Sequence, residues 1–555
     1  MTDSMKQILV ALGLILVFFG VYLMPLGVRP LMIPDETRYA EVPREMIETG
    51  DWVVPRLNGL RYFEKPVMGY WLNGLSILAF GENAFAVRFP SAAAAGLSAL
   101  MVFFLASRSL GRLQGLMAAG VLLTAVEVFG IGTFAVLDSM LSFFLTASLG
   151  FFYLAWESRH VRVRRIAFLI LSGLFCGLAC HTKGFLAFAV PVVVTVPFLV
   201  WQGQWKEVFR FAWIPLVTAL LVMVPWGVMV HLREPQFWDF FFWNEHVHRF
   251  FAADNAQHKE PFYYFLMVLP LGLVPWIALA PAAARGLVKT GLKNPFLRYA
   301  LCWTLFPLVF FSVSSGKIAT YILPCFPAMA ALVAQGLYAY GDGAQRFRLW
   351  DVGALALAGF FCIVALAMGV VQAGMVKGFT VYASFWKGSC FIFGLISFSA
   401  FLVLSARARE MIPKWLFFGL SPVVLLVLLP FLMPDLTILR KAPGILFTEN
   451  RDLVTRDTVI VSQASLIRAV CWTYKRRDVF QLEEGGELSY GLNHADSAHR
   501  LLDFEQFTRL VDANRGKRRV LLVVDPSKLD LWKSLIPQPE FLRSSGEKGF
   551  VLVFY

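Results

Sequence analysis

The sequence predicts a polytopic, mostly α-helical membrane domain followed by a small soluble α/β domain. Three observations lead there. Hydrophobic residues make up 58% of the 555 and charged residues only 16%, whereas a soluble domain carries about a quarter charged. Apolar runs of roughly 18 residues or more recur along most of the chain, long enough to cross a bilayer. From about residue 434 the pattern changes to short β-rich runs between polar turns.

Hydropathy places about thirteen spans, near 7–25, 85–107, 113–131, 137–156, 166–181, 185–201, 211–230, 264–283, 299–313, 320–338, 352–372, 385–405 and 415–433. The first apolar stretch is too long for a signal-peptide core, and no small-residue cleavage pattern follows it, so it reads as a retained span. Charge then orients the bundle. Arg108, Arg112, Arg159, Arg162, Arg164, Arg165, Lys206, Arg210, Arg285, Lys289, Lys293, Arg298, Arg346, Arg348, Arg407, Arg409 and Lys414 fall on one side. The short loops of the other side carry only Lys183, Lys317 and Lys377. The positive-inside rule puts the first set in the cytoplasm, together with the amino terminus. An odd number of spans sends the carboxyl terminus outside. The domains are therefore 1–433, membrane-embedded with long outer loops near 26–84 and 231–263, and 434–555, soluble. In the tail, "DTVIVSQAS", "RRVLLVVDPS" and "GFVLVFY" read as buried strands and "DFEQFTRLVDAN" as an amphipathic helix.

The same features exclude other classes. The net charge of +13 is concentrated in short cytoplasmic loops, which fits membrane orientation rather than nucleic acid. The seven cysteines form no metal spacing and no disulfide framework. No Gly-rich loop sits in a strand-turn-helix context, so a sugar nucleotide on a Rossmann site is not expected. Ionisable residues gather at one surface and no repeat is visible, which argues against a transporter.

Chemistry concentrates in the outer loops. "DETRYAE" offers Asp35, Glu36, Arg38 and Glu41, and "GLRYFEKPVMGYW" offers Arg61, Tyr62, Glu64 and Lys65. Asp35 either caps a short surface helix or belongs to a site where carboxylates and cations meet a phosphate-bearing lipid. Asp138 opens the fourth span from outside, where an acid is costly unless paired or facing water. Lys183 in "HTKGF", and Lys317 with Tyr321 in "GKIATYILP", occupy tight outer turns and are candidates for anion binding. The loop "REPQFWDFFFWNEHVHRFFAADNAQHKEP" holds His246, His248 and His258. Imidazole and carboxylate bind divalent ions, which makes Glu64 and His246 the candidate metal pair, although the spacing matches no established zinc signature.

Several stretches together resemble one family: "DETRYAEVPREMIETGDWVVPRLNGLRYFEKPVMGYW", "GTFAVLDSML", "TKGFLAFAVPV", "PQFWDFFFWNEHVHRF", "AQHKEPFYYF", "GKIATYILPCFP" and, in the tail, "GELSYGLNHADS". They are similar to the bacterial aminoarabinose transferases of lipid A, the ArnT family of GT-C glycosyltransferases. The DETRYAE opening is shared with wider relatives, including protein mannosyltransferase-like enzymes. Its combination with "LRYFEKP" and "FFWNEHVHRF" is more specific.

The resemblance implies a GT-C bundle in the bacterial inner membrane with a periplasmic active site and a periplasmic tail domain. It implies transfer of 4-amino-4-deoxy-L-arabinose from undecaprenyl phosphate to lipid A phosphates, with resistance to polymyxin and cationic peptides as the result. On that reading Lys65, Arg38, Tyr62 and Tyr321 stabilise the departing lipid phosphate. Asp35 orients the acceptor, stabilises positive charge at the sugar or holds its amine, and Asp138 is a second carboxylate. Lys183, Lys317 or a metal ion such as zinc at Glu64 and His246 screens the two phosphates. Inversion by single displacement is expected, with no obligatory cofactor and no obligate protein partner. The rival within the class is a mannosyltransferase-like enzyme with another sugar or a protein hydroxyl acceptor, in which Asp35 would be an essential base. A lipid transporter is the more distant rival.

Overall fold

The computed structural model describes residues 3–241, 259–342, 347–375 and 380–555. The chain forms two compact units. One comprises residues 1–26, 89–380 and 384–432, and the other residues 27–88, 381–383 and 433–555. The first outer loop thus folds with the tail, a grouping that no local pattern in the sequence announces.

In the membrane unit, nine helices among the described residues are long and apolar enough to cross a bilayer, or eleven if two bent pairs are each counted as one span. Gln7–Leu23 and Leu186–Trp201 are apolar but shorter. The sequence expectation of a polytopic helical bundle therefore holds, while the count of thirteen exceeds what length and composition support. The difference has two sources: the two short helices, and spans that break partway. Arg112–Thr124 and Val126–Gly132 meet at 64°, and Tyr264–Gly272 and Trp276–Thr290 at 97°. Backbone freed by a break at membrane depth must find partners within the protein. Here the breaks satisfy each other: the Val126 N–H donates to the Val274 carbonyl at 3.1 Å, and the Trp276 indole donates to the Thr124 hydroxyl at 2.9 Å.

Burial ranks the helices. In the most apolar 18-residue stretches of Leu137–Glu157 and Ala319–Gly341, 83% and 89% of the residues are buried, against 17% in Arg348–Gln372, so the former two lie at the centre of the bundle and the last at its periphery. Small residues permit close crossings. A Cβ at Gly286 would lie 1.8 Å from the Gly336 carbonyl oxygen, and one at Gly336 would lie 2.3 Å from that of Ala283. Both obstacles are backbone. Gly336→Val is therefore expected to force the Ala280–Thr290 and Phe326–Gly341 helices apart and cost about 1–3 kcal/mol or more, read as loss of monodisperse protein in detergent. Lys414, one of the cations assigned to the cytoplasmic side, is fully buried and donates to Asp351 at 2.6 Å and to the Ser405 carbonyl at 2.8 Å.

The second unit is built on a six-stranded sheet. A small hairpin precedes it, β1 (Arg56–Leu57) and β2 (Leu60–Arg61). The sheet strands are β3 (Val459–Ser462), β4 (Phe480–Leu482), β5 (Leu501–Leu502), β6 (Val520–Val524), β7 (Phe541–Ser544) and β8 (Val551–Phe554), in the order β5-β4-β3-β6-β8-β7. The pairs β5–β4, β4–β3 and β3–β6 are parallel; β6–β8 and β8–β7 are antiparallel. The three tail segments read as strands from the sequence become β3, β6 and β8. The expected helix is Phe504–Asn514, opened by a capping box between Asp503 and Gln506. Its Phe507 and Val511 pack on Val461, Leu522 and Val553.

The hairpin tip, Asn58-Gly59, has positive φ at both residues (59° and 72°), as a tight two-residue turn demands. The Asn58 side chain donates to the Val479 carbonyl at 2.7 Å and accepts from the Val479 N–H at 3.0 Å. Arg500 donates to the Asn58 carbonyl at 2.8 Å. These contacts join the first loop to the strand edge at β4.

Candidate functional site

Helix Asp35–Thr49 carries the "DETRYAE" residues and ends at Gly50 with φ 70°, a left-handed glycine cap. Its first turn divides by chemistry. Asp35 is 40% exposed, while Arg38 on the next turn is 8% exposed. Arg38 donates to Asp35 Oδ1 at 3.2 Å through one terminal nitrogen. Through the other it donates to Glu487 Oε1 and Oε2 at 2.7 and 2.8 Å. Glu487 also accepts from the Tyr62 hydroxyl at 2.9 Å and pairs with Arg468. Tyr62 lies 3.1 Å from Glu64 Oε2, and Lys65 Nζ donates to the Glu64 carbonyl at 2.9 Å. Asp35, Arg38, Tyr62, Glu64 and Lys65 thus form one connected group, as a shared site requires. Burial pushes the Glu487 carboxyl up, but Arg38, Arg468 and the Tyr62 hydroxyl together hold it below the usual carboxylate range.

Behind that group lies a buried support. Glu36, fully buried, accepts from Arg29 at 2.7 and 3.0 Å, from Arg88 at 2.7 and 2.8 Å, and from the Met32 N–H at 3.0 Å. Arg88 also donates to the carbonyls of Arg29 and Pro30, each at 2.9 Å. One turn of helix therefore sends Asp35 outward and anchors Glu36 inward.

The membrane unit carries its own polar group. Asp138 opens helix Leu137–Glu157 and accepts from Lys183 Nζ at 2.7 Å, with both side chains under a fifth exposed. That ammonium stands 5.0 Å from the centre of the Tyr321 ring. Asp138, Lys183, Thr320 and Tyr321 line a small pocket whose remaining walls are apolar, including Leu141, Ala187 and Phe311. Lys317 is buried and donates to the carbonyls of Glu260 at 2.8 Å and Ser314 at 2.5 Å. It therefore secures the turn backbone and does not line that cavity.

His246, His248, His258, Arg346 and Lys377 lie outside the described residues. Among the described residues no group of three or more His, Cys, Asp and Glu side chains converges as a metal site would.

Sequence reasoning named Glu36 without a role and did not single out Arg29, Arg88, Arg468 or Glu487 as functional. Arg88 had a usable signal, since a lone arginine inside an apolar run must be paired. Glu487 lies in the tail stretch "GELSYGLNHADS", but nothing there points to Arg38 and Tyr62, which lie more than 420 residues away.

Comparison with known proteins decides the family. The chain is 38% identical over 541 residues to the undecaprenyl phosphate-alpha-4-amino-4-deoxy-L-arabinose arabinosyl transferase of Shewanella sediminis, covering 97% of each. The chain belongs to the ArnT arabinosyltransferase family. The like-named protein of Yersinia enterocolitica is 40% identical over 525 residues, 93% of each chain. Residues 438–554 match the family model for the arabinosyl transferase ArnT C-terminal domain, and residues 7–241 match that for dolichyl-phosphate-mannose-protein mannosyltransferase. The fold is similar to that of ArnT from Cupriavidus metallidurans. The undecaprenyl phosphate-bound crystal structure aligns with a TM-score of 0.81 at 22% identity, over 100% of this chain and 98% of that one. The apo form aligns at 0.79 and 22%, over 98% of both.

Proposed function

We propose that this ArnT-family chain transfers 4-amino-4-deoxy-L-arabinose from undecaprenyl phosphate to phosphate groups of lipid A, at the periplasmic face of the bacterial inner membrane. One observation carries the reading: a half-exposed carboxylate, Asp35, held beside a buried arginine in a chain that shares its full length with arabinosyl transferases. The short apolar helices and the bent pairs are taken as crossings, which makes thirteen and leaves the carboxyl terminus in the periplasm.

The chemistry follows from the charges. The donor leaves as a lipid phosphate, so negative charge grows on that oxygen, and preorganised cations stabilise it. Lys65, Arg38 and Tyr62 do this in one unit. Lys183 and Tyr321 act on lipid phosphate in the other, where Asp138 holds the Lys183 ammonium in place. The acceptor phosphate is already anionic, so no strong base is needed. Asp35 orients the acceptor and balances positive charge at the anomeric carbon, and inversion by single displacement results. A divalent ion at Glu64 and His246 is a further source of screening, tested by assay with and without a chelator. The product is a phosphodiester carrying a cationic amine, which lowers the negative charge of lipid A and weakens its attraction for polymyxins.

The residues 7–241 match favours a second reading, a polyprenyl-phosphate-dependent transferase with another sugar or a hydroxyl acceptor. The test is lipid A mass spectrometry in a polymyxin-sensitive strain lacking its own transferase. Complementation with this chain is expected to add the mass of aminoarabinose. Lys65→Ala, at equal expression, is expected to cut that product about 10²-fold or more. No mass gain with a supplied donor would leave the second reading standing.

A further inference from the structure

We infer that Glu487, contributed by the tail, is a positioning residue of the transfer reaction: it holds the Arg38 guanidinium so that Asp35 keeps only a single bond to it, and holds the Tyr62 hydroxyl beside Glu64. The inference rests on the function proposed above and assigns a role to the tail within it.

Two carboxylates compete for Arg38. Glu487 takes the short contacts, at 2.7 and 2.8 Å, and Asp35 is left with one at 3.2 Å. A guanidinium prefers paired bonds to a carboxylate. With the Glu487 charge removed, Arg38 closes on the carboxylate already beside it and engages Asp35 more fully. The residue meant to face substrate is then occupied by its own neighbour.

Tyr62 follows the same logic. It has one hydroxyl proton for two carboxylates, and Glu487 at 2.9 Å is nearer than Glu64 at 3.1 Å. Arg468, 4% exposed, completes the arrangement from the tail side. Arg38, Arg468 and Lys65 thus balance the three carboxylates Asp35, Glu64 and Glu487 of the connected group. The Nε atoms of Arg38 and Arg468 are both buried without a hydrogen-bond partner, so the cluster retains donor capacity.

The experiment uses the full-length protein in liposomes with undecaprenyl phosphate-linked aminoarabinose as donor and lipid A as acceptor. Glu487→Gln is expected to lower kcat about 10²-fold, the effect of misplacing a reacting group by about 1 Å, with donor KM little changed. In a double-mutant cycle with Arg38→Gln, the losses should be strongly non-additive, because Glu487 acts through Arg38. A merely structural role would instead lower thermal stability and add to the Arg38 effect. If Glu487→Gln does not fold, Glu487→Asp keeps the charge but withdraws it by one methylene, and the same fall in kcat is expected. Wild-type kcat in the folded variant, or additive losses, overturns the inference. An inactive wild type overturns the functional reading itself, so the two failures are distinguishable.

Discussion

Asp35→Asn is expected to lower sugar transfer about 10²- to 10³-fold, the usual cost of one charged group aimed at a transition state, while leaving the fold intact. Asp35 is 40% exposed and makes one 3.2 Å contact to Arg38. An exposed ion pair contributes about 0–1 kcal/mol to stability, so activity and folding separate cleanly at this position. Turnover by lipid A mass spectrometry, with thermal unfolding in detergent as control, reads both. Product at the wild-type level in Asp35→Asn would remove Asp35 from the chemistry. The pH profile then discriminates between acceptors. A phosphate acceptor is anionic throughout the neutral range and gives a shallow profile. A hydroxyl acceptor requires a base and gives a steep one.

Glu36→Ala, one residue on, is expected to do the opposite and strongly destabilise the fold. Glu36 and Arg88 are fully buried and Arg29 is 8% exposed. Removing the shared carboxylate leaves two guanidiniums without it in the interior, at a cost of about 3–5 kcal/mol. That is a large fraction of the roughly 5–15 kcal/mol stability typical of a native domain. Burial alone would raise the Glu36 carboxyl, but hydrogen bonds and charge from Arg88 and Arg29 bring it below its ordinary value. Its contribution is therefore full above the ordinary carboxylate range and lost as pH falls through the depressed folded value. Size-exclusion profiles and unfolding temperatures of Glu36→Ala and Asp35→Asn, taken together, check the contrast. A Glu36→Ala protein with wild-type stability would show that the two arginines find other partners.

The neighbouring pair also shows how much of the site was legible. "DETRYAE" marks a reactive edge because charges beside an apolar span need a reason, and the chemistry of Asp35, Arg38, Tyr62 and Lys65 follows from residue type. Nothing local tells Asp35 from Glu36: both are acids in one helical turn, and only packing turns one outward and the other inward. Lys183 and Lys317 present the same difficulty. Each is a lone cation in a tight outer turn. Lys183 meets a carboxylate on a cavity wall, whereas Lys317 is spent on backbone carbonyls.

By itself the sequence determined the class, because hydrophobicity, its period and the placement of positive charge act locally and survive in any arrangement of the helices. It determined the tail strands β3, β6 and β8 for the same reason. The tertiary structure alone decided where spans break, since a broken helix is stable only if a distant carbonyl such as that of Val274 is there to receive the freed N–H of Val126. It alone joined the first loop to the tail, because Arg38 and Tyr62 find Glu487 more than 420 residues away. Contacts at that separation leave no periodicity in the chain; they exist only once the backbone has brought the two ends together.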